Sequence, residues 1–379
     1  MQDVMESKFL FRGKEHKMIL ESVDNKILQE DIEQVVEQYS FEELKDTTIL
    51  VTGATGLIGS QVIKTLACLN RMKNINVIVL ALVRSEEKAQ KVFGQLLKRG
   101  DVRLVLGDVT KELQIPDNVD YIIHGASPTS SKFFVNNPVE TIMTAIVGTK
   151  NILEFSRKKN IKGMVYLSSL EVYGIPQTKN GVVKECDYGY IDPLSVRSSY
   201  SEGKRMVECL CASYAKEYDV PVKVARLSQT FGAGVEYEDG RVFAEFARCA
   251  VEKRNIVLHT AGNTLRTYCY TKDAVAALLI ILLRGEAGTA YNVTNKNTAV
   301  TIKEMAQCVC DAFPESGIHV EFDMPKDLES FGYNPEMVIR LDSARLENLG
   351  WKATVDLKDM FVRMIAAFYK NNKNERNKE

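Results

Sequence analysis

From Thr47 onward the chain switches repeatedly between two rhythms. Short β-branched, apolar runs occupy Thr48–Thr52, Val77–Val83, Val102–Leu106, Tyr121–His124, Gly163–Leu167 and Val222–Leu227. Helical spacing fills the gaps, notably over Gln61–Asn70, Glu86–Lys98, Val139–Lys158 and Tyr200–Tyr218. Strand and helix in strict alternation predict a parallel sheet covered on both faces, an α/β architecture. Residues 1–46 stand outside this pattern. Within them Ile27, Leu28, Ile32, Val35, Val36 and Tyr39 recur at helical spacing, so an amphipathic helix is expected, packed on the main domain or on a second subunit.

After Leu227 the rhythm loosens. Helices are expected over Arg241–Glu252, Thr271–Leu283, Ile302–Phe313 and near Leu357–Tyr369, with short strands at Ile256–His259 and Tyr291–Val293. The pattern divides the chain into a helical extension (1–46), a nucleotide-binding domain (47–235) and a mainly substrate-binding lobe (236–370), some segments of which return to the sheet. A polar tail (371–379) is expected to fray.

The turn after the first strand reads Val51-Thr52-Gly53-Ala54-Thr55-Gly56-Leu57-Ile58-Gly59. Gly53 suits a tight turn, Gly56 lets backbone approach a ligand, and Gly59 lets the helix lie close to the sheet. The helix N-terminus then presents free N–H groups and a partial positive charge, a seat for a pyrophosphate. Strand, glycine turn and helix in this order predict a Rossmann-type doubly wound parallel sheet that binds a dinucleotide at Gly53, Thr55, Gly56, Leu57, Ile58 and Gly59, with a smaller C-terminal lobe.

Composition narrows the partners. With 49 Lys+Arg against 50 Asp+Glu the net charge is −1, which offers no electrostatic case for nucleic acid or a membrane surface. The 8 cysteines are scattered without a Cys-x-x-Cys pair, and only 4 histidines occur, so no metal site is expected and the thiols read as reduced, in the cytoplasm. Met1 to Lys17 is charged throughout, unlike a secretory signal, and the longest apolar run, Ala274–Leu283, is too short to span a bilayer.

At the second strand's end stands Arg84, with Lys88 a turn later, where an acidic residue would favour NAD and a cation the 2′-phosphate of NADP; the cofactor is therefore NAD or NADP, with a lean to NADP. Asp108 and Val109 end the third strand, where a carboxylate can accept the adenine amine or cap the next segment. The fourth strand ends at His124-Gly125-Ala126-Ser127, small enough for a cofactor to cross. The richest constellation is Tyr200-Ser201-Glu202-Gly203-Lys204 with Ser168-Ser169-Leu170-Glu171 upstream. Tyr200 and Lys204 share a helix face, and an ammonium beside a phenol is expected to lower its pKa towards that of a working base. Ser169 would share the oxygen that Tyr200 deprotonates, while the carbinol hydride leaves for a nicotinamide.

The set Gly53-x-x-Gly56-x-x-Gly59, Ser169 and Tyr200-x-x-x-Lys204 resembles the extended short-chain dehydrogenase/reductases, the nucleotide-sugar epimerases and dehydratases, over about residues 47–370. Ser195-Val196-Arg197-Ser198-Ser199-Tyr200 through Arg205, Gly240-Arg241-Val242 and Leu265-Arg266-Thr267-Tyr268 are most similar to UDP-glucuronate decarboxylases. The resemblance implies a nucleotide-sugar substrate, a homodimer, catalysis by Ser169, Glu171, Tyr200 and Lys204, and substrate contacts from Ser127, Arg241 and Arg266. It also implies C4 oxidation on a retained cofactor, then decarboxylation or dehydration. Leu170 stands where deoxythymidine-sugar dehydratases carry an acid for the C6 hydroxyl, which favours decarboxylation. Ala145, Gln229 and Ala233 replace an Asn, an Asn and a Pro usual in the family. A 4-epimerase or an NADPH-dependent reductase of a small carbonyl compound are the alternatives, and a silent cofactor sensor would be expected to lack Tyr200 or Lys204.

Overall fold

The computed structural model describes residues 19–324 and 336–376, so expectations for 1–18 and 377–379 lie outside the described residues. Helix α1 (Lys26–Gln38) precedes β1 (Thr48–Thr52), α2 (Leu57–Lys73), β2 (Ile78–Val83), α3 (Glu86–Phe93), β3 (Val102–Leu106), β4 (Tyr121–His124), α4 (Ser131–Asn136), α5 (Pro138–Lys159) and β5 (Gly163–Ser169). Then come β6 (Val182–Val183), α6 (Ser198–Tyr218), β7 (Val222–Leu227), β8 (Gln229–Phe231), α7 (Val242–Glu252), β9 (Ile256–Leu258), β10 (Leu265–Tyr270) and α8 (Thr271–Arg284). The remainder is β11 (Ala290–Val293), β12 (Asn295–Thr301), α9 (Ile302–Ala312), β13 (Val320–Phe322), β14 (Val338–Leu341), α10 (Ala344–Glu347) and α11 (Leu357–Arg376).

The main sheet runs β11-β7-β5-β4-β1-β2-β3, every pairing parallel. Chain order reverses between β1 and β4, which opens a crevice at their carboxyl ends, the usual ligand position in such sheets. Seven strands form this sheet where the apolar pattern predicts six. The seventh, β11, is only four residues long and pairs with β7 through Ala290↔Val224 to Val293↔Leu227, a partner 66 residues earlier in the chain. It is led there by α8, buried along Thr271–Leu282, because the sheet covers one side and α1 and α2 the other. A helix apolar all round is the expected result of that double cover.

Three boundaries differ most from the periodicity. Helix α2 begins at Leu57, four residues before the predicted start, because the glycine turn itself supplies the N-cap, Gly56. The helix predicted over Glu86–Lys98 ends at Phe93; Gly94 has φ +47°, and a 3₁₀ turn carries the chain to Arg99. The expected polar tail is helical as far as Arg376, a continuation of α11.

The N-terminal segment packs on its own chain. Leu28, Ile32, Val35 and Val36 are buried in the core shared with α2 and α8. Asn25 caps α1 by accepting from the Leu28 N–H at 3.0 Å and donates to the Ala233 carbonyl at 2.7 Å. Buried Asp31 accepts from the Tyr270 hydroxyl at 2.6 Å and pairs with Arg363 at 2.8 Å; burial raises its pKa to about 6 against the opposing pull of these two partners.

A second, smaller sheet runs β12-β10-β14-β6, with β8 beside β10. Over it Phe231, Phe243, Met305, Phe361 and Met364 form a separate core with α7, α9 and α11. Strands β6 and β8 arise before residue 236 and β11 after it, so the two lobes exchange strands rather than meeting at a single crossing.

Candidate functional site

The glycine turn separates into structural and open positions. Gly53 has φ +67°, and a Cβ there would come within 2.6 Å of the Gly125 carbonyl. A Cβ on Gly59 would come within 2.3 Å of the Gly53 oxygen. At exposed Gly56 the only atom near an added Cβ is Gly53 O, at 3.2 Å. The first two glycines close the turn onto itself; the third leaves space in front of the α2 N-terminus, where Leu57, Ile58 and Gly59 offer N–H groups without helical acceptors. Thr55, Leu57 and Ile58 are half-buried around this opening. Such a cradle fits a dinucleotide pyrophosphate. Gly56→Val should therefore leave the fold intact and weaken dinucleotide binding about a hundredfold or more, by loss of two charge-assisted hydrogen bonds. Unchanged affinity in a titration would reduce the glycines to a structural turn.

Beyond the turn, buried His124 ties the ends of β1 and β4. Its Nδ1 meets the Thr52 hydroxyl at 2.6 Å, its Nε2 meets the Thr149 hydroxyl at 3.1 Å, and the Ala126 N–H donates to Thr52 at 3.2 Å. Burial, then the charge of Lys204, pushes its pKa down to about 3, so the ring is neutral and acts as a brace. Ala126 is half-buried beside this brace, and the Ser127 hydroxyl donates to the Pro128 carbonyl at 3.2 Å.

Along the far wall, Arg84 and Lys88 are exposed. Asp108 Oδ1 accepts from the Thr110 N–H and hydroxyl, both at 2.8 Å, and the first of these bonds does most to hold its pKa low; the positive charge of Arg84 adds to it. The capping reading of Asp108 is thus the one realised among its protein contacts. The Val109 side chain is buried against α5 at Gly148, and its carbonyl accepts from Asn151 at 2.9 Å.

Ser169, Glu171, Tyr200 and Lys204 converge where β5 ends and α6 begins. The Ser169 oxygen accepts from the Glu171 N–H at 3.2 Å and hydrogen-bonds the Tyr200 phenol. The Tyr200 ring stacks on Phe134, with centroids 4.2 Å apart and planes within 10°. Its phenol departs from expectation: its pKa is pushed up, not down. Burial is the main cause, and the negative charge of Glu171 adds to it; Ser169, Arg197 and Arg241 pull the other way. Lys204 does not supply the expected relief. Its ammonium donates to the Leu167 carbonyl at 2.7 Å and lies 5.6 Å from the Tyr200 ring centre, and burial lowers its own pKa to about 8.

Glu171 is held from two sides: Arg197 Nη2 donates to Oε1 at 2.9 Å, and the Ser201 hydroxyl donates to Oε2 at 3.0 Å. Leu170 points the opposite way, into an apolar cluster with Val172, Tyr173 and Ile339. Beneath the site lies a second ion pair, fully buried: Arg226 on β7 meets Glu208 at 2.6 Å, and Ser168 donates to the same carboxylate at 2.5 Å. Glu208 sits one turn after Lys204 and favours its charged form against burial. Of the predicted substrate contacts, Arg241 is paired with Asp239 at 2.6 Å and its charge is felt at Tyr200. Arg266 has a buried Nε with no acceptor among the described residues.

Arg197, Phe134 and Glu208 were not among the predicted site residues. Arg197 and Glu208 had a signal, since they flank Tyr200 and Lys204 at helical intervals of three and four. Phe134 had none, because a ring 66 residues upstream announces its partner only in three dimensions.

The fold places a glycine-turn cradle beside the cluster of Ser169, Tyr200 and Lys204, and the chain belongs to the NAD dependent epimerase/dehydratase family, whose profile matches residues 49–294. Within that family it is similar to UDP-glucuronic acid decarboxylase 6 of Arabidopsis thaliana, 30% identical over 312 residues that cover 82% of this chain and 85% of the relative. UDP-glucuronic acid decarboxylase 3 of the same plant is 31% identical over 316 residues, with 82% and 86% covered. Among solved structures, UDP-glucose 4-epimerase of Thermotoga maritima superposes with a TM-score of 0.71 at 20% identity, covering 86% of this chain and 99% of that one. dTDP-glucose 4,6-dehydratase of Bacillus anthracis, solved with NAD, gives 0.68 at 18%, covering 86% and 98%. Both structures share the fold.

Proposed function

We propose that this protein is a nucleotide-sugar lyase that oxidises the sugar at C4 and then releases CO2 from a C6 carboxylate, acting on a UDP-uronic acid. One observation carries the choice within the family: among the described residues Glu171 is the acid whose charge is felt at Tyr200, while Leu170 is buried and no second acid stands beside it for a leaving C6 hydroxyl. A nicotinamide dinucleotide held on the glycine turn would take up the C4 hydride and return it, so no net oxidation would appear. Tyr200, acting as its phenolate, receives the proton of the C4 hydroxyl and becomes the neutral phenol, and Ser169 hydrogen-bonds the same oxygen. Arg197 and Arg241 favour the phenolate that precedes this transfer, and Lys204, kept charged with the help of Glu208, lies 5.6 Å from its ring centre.

The C4 ketone makes the C6 carboxylate a β-keto acid. CO2 leaves, the bonding pair passes through C5 to the C4 oxygen as an enolate, and C5 is then reprotonated within reach of Glu171. Arg266, with its unpartnered Nε, and Arg241 at the mouth would hold the diphosphate, with Ser127 beside the sugar. The test is direct: incubation with UDP-glucuronate and NAD should yield CO2 and a UDP-pentose. A C4 epimer or a 6-deoxy-4-keto product would replace this reading by its family alternatives.

We further propose that NADP is accepted alongside NAD. Arg84 and Lys88 stand exposed where the 2′-phosphate would lie. Arg84→Ala should weaken NADP by about tenfold or more relative to NAD, the worth of one charge-assisted hydrogen bond. An equal effect on both would make Arg84 a solvated residue. A homodimer is supported by exposed apolar side chains on the paired helices α5 and α6, Val139 (71% exposed), Met143 (50%) and Met206 (56%). Eight unpaired cysteines suit a reducing cytoplasmic setting.

A further inference from the structure

We propose that Arg197 is the seat of the anionic C6 group, shared with Glu171, and that it decides between uronic-acid and neutral-sugar nucleotides; this rests on the reading of the site given above. Arg197 occupies the turn just before α6, three residues ahead of Tyr200. Its guanidinium lies 5.2 Å from the Phe134 ring centre, and Phe134 stacks in turn on Tyr200. Ring, guanidinium and phenol therefore form one layered stack. Arg197 and Glu171 are 27% and 24% exposed, so the pair is part-open to solvent rather than sealed.

The neighbouring cations are otherwise engaged. Arg241 is bound to Asp239 through Nε and Nη2, Lys204 faces the Leu167 carbonyl, and Arg226 is sealed against Glu208. Arg197 spends only Nη2 on Glu171 among the described residues, which leaves further donors of its planar fork without a protein acceptor. A uronate brings its carboxylate next to C5, hence next to Glu171, and two adjacent carboxylates repel unless a cation lies between them. A guanidinium can bridge two carboxylates with separate N–H groups, which an ammonium does less well. A sugar with a neutral C6 hydroxymethyl offers Arg197 no charge and leaves it on Glu171. Because Glu171 keeps part of the guanidinium, the substrate carboxylate is held by a shared contact, and its charge remains free to pass to the C4 oxygen as CO2 departs.

The test uses the full chain carrying Tyr200→Phe, so that ligand is bound without turnover. Titration with UDP-glucuronate and with UDP-glucose, each in the presence of NAD, compares the Tyr200→Phe protein with the same protein carrying Arg197→Met or Arg197→Lys. Arg197→Met should weaken UDP-glucuronate by roughly 10- to 100-fold, the loss of one charge-assisted hydrogen bond, and leave UDP-glucose within about twofold. Arg197→Lys should fall between and keeps the test alive if the methionine variant misfolds. Equal weakening of both ligands would make Arg197 a prop for Glu171 and Tyr200, and unchanged binding of UDP-glucuronate would remove it from the site; either overturns the assignment alone. Failure of the parent protein to bind either nucleotide sugar would instead sink the proposed function, and this inference with it.

Discussion

Replacing Tyr200 with phenylalanine is expected to cut turnover by about 10²–10⁴-fold while fold and cofactor affinity stay as they are. The phenylalanine ring keeps the stack on Phe134, so packing changes little. What is lost is the single oxygen that both Ser169 and the substrate hydroxyl address. The raised proton affinity of the phenol makes the expectation sharper. In a site where burial and Glu171 disfavour the phenolate, a base works only if nearby positive charge offsets that cost as the proton moves. Arg197 and Arg241 are the groups placed to do so. Steady-state kinetics with a dinucleotide titration on the same sample checks the prediction, and turnover close to wild type in Tyr200→Phe would remove Tyr200 as the base.

The second large effect is expected at Glu171. Glu171→Gln keeps the side chain's size and an oxygen for Arg197, but it can no longer carry a proton or a negative charge. The ion pair it breaks is part-exposed, so stability should change little. C4 oxidation should survive, whereas the steps at C5 should slow by about 10²-fold or more. A 4-keto nucleotide sugar should then accumulate, detectable by mass spectrometry of quenched reactions. Full activity without that species would point to a 4-epimerase, which needs no group at C5.

Several features were legible because they are local. Each strand of the main sheet announces itself as a short run, β11 as a strand though not as part of this sheet, and the others are apolar because a strand covered on both faces has no polar side to show. The glycine turn is readable because backbone that must bend sharply, approach a ligand and abut a helix tolerates no side chain at three fixed spacings. Tyr200 and Lys204 are readable as a pair because four residues make one helical turn. Even the outlying helix α1 is visible as an apolar stripe.

What only the tertiary structure decided is how those local pieces are answered by distant ones. The stripe on α1 could have met another subunit; α2 and α8 of its own chain cover it, with Asp31 tied to Tyr270 and Arg363 across more than 200 positions. Strand β11 becomes part of the main sheet because β7 offers it an open edge, which no window of neighbouring residues records. The charge state of the site is decided the same way. Spacing along one helix places Lys204 near Tyr200, but the Leu167 carbonyl claims its ammonium, Phe134 and Glu171 set the cost of ionising the phenol, and Arg197 sets the charge around Glu171. Sequence alone determined most elements of the main sheet and the spacing of the candidate groups, because periodicity and steric permission are properties of a short stretch. Burial and electrostatic balance are sums over everything that packs around a group, and those neighbours are brought together only by the folded chain.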